Sequence, residues 1–79
     1  MILYQTVLYQ AYLHPQYGWD ADAGNILFES TIGPDPTQVM QELNFFERTH
    51  PNWFANMRMI KDGNIIEEEW FDSSVIEIE

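Results

Sequence analysis

Residues 2–13, Ile-Leu-Tyr-Gln-Thr-Val-Leu-Tyr-Gln-Ala-Tyr-Leu, form the longest run of β-branched, aromatic and aliphatic positions in the chain. Both alternating faces of that run are largely apolar. Such a pattern predicts a strand covered on two sides, as at the centre of a sheet. His14-Pro15 ends it, because the residue before a proline is pushed out of the helical region. Residues 14–24 read as a loop, with Gly18, Asp20, Asp22 and Gly24 as turn residues and with Tyr17 and Trp19 as its aromatic members. A second strand follows over 25–32, paired antiparallel with the first. Its alternation sends Ile26, Phe28, Ser30 and Ile32 to one side and Leu27, Glu29 and Thr31 to the other.

Gly33-Pro34-Asp35-Pro36 breaks the strand and opens a helix. Asp35 supplies the cap, Pro36 suits the first helical position and Gln38 completes a variant capping box. The helix is expected to run to about Thr49. Val39, Met40, Leu43 and Phe46 make one apolar stripe at spacings of three and four, while Phe45 falls on the polar side near Gln38 and Gln41. His50-Pro51-Asn52 closes it.

Trp53–Lys61 and Asn64–Phe71 read as a hairpin around Asp62-Gly63, the dipeptide that best tolerates the positive φ of a type I′ turn. A regular ladder from that turn sets Met59 opposite Ile66, Arg58 opposite Glu67, Met57 opposite Glu68 and Ala55 opposite Trp70. One face then carries Ala55, Met57, Met59, Ile66 and Trp70 as the core side, with Glu68 an awkward member. The other carries Asn56, Arg58, Glu67 and Glu69. After a turn at Asp72-Ser73-Ser74, the alternation of Val75–Glu79 predicts a short edge strand. The expected fold is α+β: an antiparallel sheet of four or five strands with one helix on one face, in the order ββαββ(β). No repeat or linker interrupts it, so the chain of 79 residues reads as a single compact domain, 1–79.

Composition strengthens that picture. With 46% apolar and 15% aromatic residues, a small core can still be sealed by a few large side chains. There is no cysteine, which excludes disulfides and thiolate metal sites and favours an intracellular setting. The first residues lack the basic start and unbroken apolar run of a signal peptide or membrane span.

Charge changes the picture most. Thirteen acidic residues against three basic ones give a net charge of −10. That exceeds the magnitude of about 2–8 usual for a soluble small domain. Such a field repels nucleic acid and anionic lipid and attracts basic protein surfaces. After Lys61 there are seven acids and no bases: Asp62, Glu67, Glu68, Glu69, Asp72, Glu77 and Glu79. Carboxylates on alternate residues of a strand lie about 6–7 Å apart, close to the phosphate spacing along one nucleic-acid strand. The competing reading is a solvated strand whose charges guard a sheet edge.

Catalytic chemistry finds no foothold. Ser30, Ser73 and Ser74 lie in no nucleophile motif, and no glycine-rich phosphate loop occurs. His14 and His50 each precede a proline and read as turn residues. Asp20-Ala21-Asp22-Ala23-Gly24-Asn25 hints at a calcium loop, yet its glycine comes one position early and Thr31 stands where a bidentate Glu belongs. The chain is therefore expected to be a non-catalytic binder with no cofactor and no metal.

In size, charge, fold type and freedom from cysteine, the whole chain resembles the small phage-encoded inhibitors known as anti-CRISPR proteins. That class shares no motif, so no residue role transfers from it. The resemblance implies a nucleic-acid mimic that blocks DNA or guide-RNA engagement on the basic channel of a CRISPR effector complex, in the cytoplasm of a bacterial host. On that reading Glu67, Glu69 and Asp72 make the charge contacts, Glu77, Asp20 and Asp22 support them, and Phe45 is the apolar anchor. An immunity protein or antitoxin covering a basic nuclease toxin would use the same physics. A structural or adaptor domain that self-associates into a homo-oligomer through a free sheet edge is the alternative of a different class.

Overall fold

The computed structural model describes residues 1–50 and 52–72, with Phe45 known by its backbone alone. The elements run β1 (Ile2–His14), β2 (Gly18–Glu29), α1 (Pro36–Gln41), α2 (Asn44–Thr49), β3 (Trp53–Lys61) and β4 (Asn64–Asp72). The four strands form one antiparallel sheet in the order β2-β1-β3-β4. The α+β class and the four-stranded antiparallel sheet hold. The element order is ββααββ, because two helices stand where the sequence predicts one. The predicted fifth strand at Val75–Glu79 lies outside the described residues.

β1 is central, as its two apolar faces require. Thr6, Val7 and Leu8 are fully buried in consecutive positions, which only a strand covered on both sides can achieve. Leu8 pairs with Phe28 on one flank and with Ala55 on the other. These residues share the face that carries the helices. There Leu8, Leu43, Trp53 and Ala55 form the core cluster, with Leu27, Phe28, Phe46 and Phe71 packed around it.

The helical segment starts as its signals dictate. The Asp35 carboxylate accepts from the backbone N–H of Thr37 at 3.0 Å and of Gln38 at 3.4 Å, with Pro36 in the first turn. A cap of this kind contributes about 1 kcal/mol. The helix does not continue to Thr49 unbroken. The Leu43 N–H turns to the Met40 carbonyl at 3.1 Å, a tightened turn that ends α1 before α2 begins. The stripe still buries Val39 and Leu43 and half-buries Met40 and Phe46. Two side chains fasten the break to the sheet. Thr6 Oγ1 donates to the Val39 carbonyl at 2.7 Å. Glu42 accepts from the Thr31 N–H at 3.1 Å and the Thr31 hydroxyl at 2.7 Å. These bonds favour the ionised form and hold the Glu42 carboxyl below its usual range. Burial pushes the Glu47 carboxyl up.

Three sequence expectations are corrected. First, the predicted loop over 14–24 is mostly strand. β1 turns through Pro15–Tyr17 and Gly18 pairs back onto His14 at φ 84°, so Trp19, Asp20 and Ala21 lie opposite Leu13, Tyr12 and Ala11. Small polar residues suffice there because β2 is an edge strand with little to bury. Second, register shifts between Leu8 and Tyr9 and again before Ala11 break the expected alternation of the second strand. Phe28 keeps the helix-bearing side, but Ile26 pairs with Tyr9 and is 47% exposed.

Third, the β3–β4 ladder slips by one residue. Asp62 and Gly63 turn at φ 53° and 79°, and Lys61 pairs with Asn64 and Ile60 with Ile65 as the turn chemistry demands. A bulge then follows, so Met59 faces Glu67, Arg58 faces Glu68, Met57 faces Glu69, Asn56 faces Trp70 and Ala55 faces Phe71. A one-residue slip exchanges the faces of everything beyond it. It removes Glu68 from the core side and brings Phe71 onto it. It also carries Trp70 to the opposite face.

Candidate acidic interface and the face behind it

β4 is an edge of the sheet, and every residue from Lys61 to Trp70 is exposed. Glu67, Glu68 and Glu69 therefore project alternately from the two sides of that edge. On the helix-bearing side, the helices cover the Leu8–Ala55 end of the sheet and leave the hairpin end open. Met57, Met59 and the residues 67–69 line a hollow of about 260 Å³ there. Glu67 and Glu69 are its carboxylates, set opposite the half-buried thioethers of Met59 and Met57. The sequence reading placed them instead beside Asn56 and Arg58; the bulge reverses that. The arrangement offers two like charges on a polarizable apolar floor, suited to a Lys or Arg side chain whose aliphatic stem also needs cover.

The opposite face bears no helix, yet Val7 and Asn56 are both fully buried on it. Tyr9 and Arg58 explain this. They lie two positions to either side of the Val7–Asn56 pair, and the Arg58 guanidinium donates to the Tyr9 hydroxyl at 2.8 Å, spanning the row between. Arg58 Nε also donates to Asn56 Oδ1 at 2.9 Å. The Trp70 ring leans on Tyr9, with centroids 5.7 Å apart. Among the described residues, the buried Asn56 Nδ2 has no hydrogen-bond partner, a situation that costs roughly 1–3 kcal/mol.

The predicted site residues thus divide. Glu67 and Glu69 meet on the helix-bearing side of β4. Asp72, opposite Phe54, shares the helix-free face with Glu68 and Trp70. Asp20 and Asp22 lie on β2, the far edge in strand order. Asp20 pairs with Tyr12, which by alternation shares the side of Leu8, and it is grouped with Ala21, Phe54 and Trp70 around a hollow of about 230 Å³. Its Oδ1 accepts from the Ala21 N–H at 2.8 Å, and Asp22 Oδ1 closes a turn onto the Gly24 N–H at 3.1 Å. Phe45 sits in α2, and its side chain is outside the described part of the structure, as is Glu77. Sequence reasoning missed Trp70 as a surface residue, having assigned it to the core. The awkward Glu68 on a core face was the one signal that the ladder had to slip.

Comparison with protein-family models, with curated proteins and with solved structures finds no match for this chain. Among the described residues, no helix is long and apolar enough to cross a membrane.

Proposed function

We propose that this protein is a non-catalytic inhibitor that covers the basic, nucleic-acid-binding surface of a partner protein. The observation that carries the reading is β4: an edge strand, exposed from Asn64 to Trp70, that presents three successive glutamates in a chain of net charge −10. Carboxylates so placed pair with the Lys and Arg that would otherwise hold phosphates, and the long-range field speeds the encounter. The resemblance to anti-CRISPR proteins makes a CRISPR effector complex the first partner to try.

The test uses the tagged full chain and a purified effector complex, at low and high salt, with DNA as competitor. Capture is expected to be salt-sensitive and displaced by DNA. Glu67→Lys with Glu69→Lys should weaken it by roughly tenfold or more, the range expected for close charge pairs at an interface. Circular dichroism should be unchanged, because both residues are exposed. Undiminished capture by the double variant would overturn the assignment of these two residues.

One further feature bears on self-association. Ile65, Ile66 and Trp70 are 50%, 51% and 52% exposed along the same edge, an apolar invitation to a second strand. Antiparallel pairing of two β4 strands centred on Glu68 would set glutamates directly opposite glutamates, and like charges so placed destabilise a ladder. The acidic edge therefore resists pairing with itself. The protein is expected to run as a monomer in size-exclusion chromatography with light scattering at low salt. A stable dimer there would favour the structural-domain reading.

A further inference from the structure

The two edges of the sheet are not equally fit to receive another strand. β2 is interrupted: its ladder to β1 shifts between Leu8 and Tyr9 and again before Ala11. Asp20 and Asp22 also occupy the backbone N–H groups of Ala21 and Gly24 with their own carboxylates. β4 is continuous by comparison. Beyond its bulge, the ladder to β3 runs without a shift from the Met59–Glu67 pair to the Phe54–Asp72 pair. Alternate backbone N–H and C=O groups over that stretch point away from β3, and among the described residues no strand meets them. The stretch holds no proline, so backbone chemistry does not close it. What guards this edge is charge, and a guard of that kind depends on the sign of the visitor. A strand bearing carboxylates is repelled, as a second β4 is; a strand bearing cations is drawn in.

We propose that β4 receives an extended, lysine- or arginine-bearing strand of the partner along its outer edge, which lengthens the sheet by one strand. The inference rests on the reading of that partner as basic and adds the form in which its cations arrive. Side chains on alternate residues of such a strand share one face. Two of its cations then stand beside Glu67 and Glu69 on the helix-bearing side, at the hollow floored by Met59 and Met57. The residues between them point to the other side, where Trp70 is half exposed and a β-branched side chain can pack on its ring. Backbone hydrogen bonds supply the affinity of an added strand, and the carboxylate pair supplies its preference for basic sequence. Cations on a flat basic surface would leave the backbone groups of β4 unused, whereas a strand uses both.

The experiment titrates the isotope-labelled full chain with the peptide acetyl-Thr-Lys-Val-Lys-Val-Lys-Thr-amide. A second titration uses the same peptide N-methylated from its first lysine to its last, which keeps every charge and side chain and removes the backbone donors. Binding and amide hydrogen exchange are followed by NMR. The parent peptide should bind and should slow exchange at alternate amides between Glu67 and Phe71, those aimed away from β3. The N-methylated peptide should bind about tenfold more weakly or worse, as the loss of two backbone hydrogen bonds implies. Glu67→Lys with Glu69→Lys should weaken the parent peptide by a similar factor. Equal binding of the two peptides, or binding that leaves exchange along β4 unchanged, sinks the strand and leaves a charge contact with the partner in place. Failure of the parent peptide to bind sinks it as well. Capture of the effector complex is scored separately, so strand addition and the basic partner can fail apart.

Discussion

Leu43→Ala is expected to remove about 2–5 kcal/mol of stability, the range for emptying a buried leucine site. Leu43 is fully buried at the break between α1 and α2. It contacts Leu8, Trp53 and Ala55, so one side chain joins the helical layer to the two central strands. Backbone on either side is already committed, by the tightened turn to Met40 and the Glu42–Thr31 clasp, so the site cannot easily collapse onto the void. A chain of 79 residues has a total stability of about 4–12 kcal/mol, and the variant would use up a large part of it. Denaturant unfolding of the variant is the measurement. Ile66→Ala, at a residue 51% exposed, is the control and should stay within about 0.5 kcal/mol of the parent. A loss below about 1 kcal/mol for Leu43→Ala would mean that the helices are not fastened to the sheet at this point.

Leu43 was legible from the sequence, and what made it so also marks where legibility stopped. The stripe of Val39, Leu43 and Phe46 holds whether the helix is continuous or broken between its second and third turns, because each short helix presents its own apolar residues to the same floor. The break is set by tertiary bonds to Thr6 and Thr31, residues 33 and 11 positions away in the chain. The hairpin behaves alike. Asp62-Gly63 fixes the first two pairs, but Ile65-Ile66-Glu67 offers no local preference for a regular ladder over a bulge. What favours the bulge is packing: it places Phe71 against the core cluster and frees Glu68 to face Arg58. Strand β2 was half missed because Gly18, Asp20 and Asp22 have turn chemistry, yet a long central neighbour can carry such residues as an edge.

The acidic character of the candidate interface was visible in the run Glu67–Glu69, but not which face each carboxylate would take. The Tyr9–Arg58 bond that covers Val7 on the helix-free face was not visible at all. It joins residues 49 apart in the chain. No local pattern encodes a contact of that range. The slip that moved Trp70 out of the core is also what set Glu67 and Glu69 opposite Met59 and Met57.

Thr6→Val should prove the most informative of the conservative changes. Thr6 is fully buried in the middle of β1, where valine fits the same space. The backbone exchange with Ser30 is untouched by the change: the Thr6 N–H still donates to Ser30 Oγ at 2.8 Å, and the Ser30 N–H to the Thr6 carbonyl at 2.9 Å. Only the hydroxyl is lost, and with it the 2.7 Å bond to the Val39 carbonyl. That carbonyl belongs to the turn where Leu43 donates to Met40 instead, so it depends on Thr6 for a donor. Stranding a buried acceptor costs about 1–3 kcal/mol, whereas the bond itself nets about 1 kcal/mol. Thr6→Ser keeps the donor and gives up a methyl group, about 1 kcal/mol by transfer and cavity terms. The serine variant should therefore unfold at higher denaturant than the valine variant, although valine is the more apolar residue at a site with no solvent access. The reverse order would show that burial outweighs the hydroxyl and that the helical layer hangs from the sheet by packing through Leu43 alone.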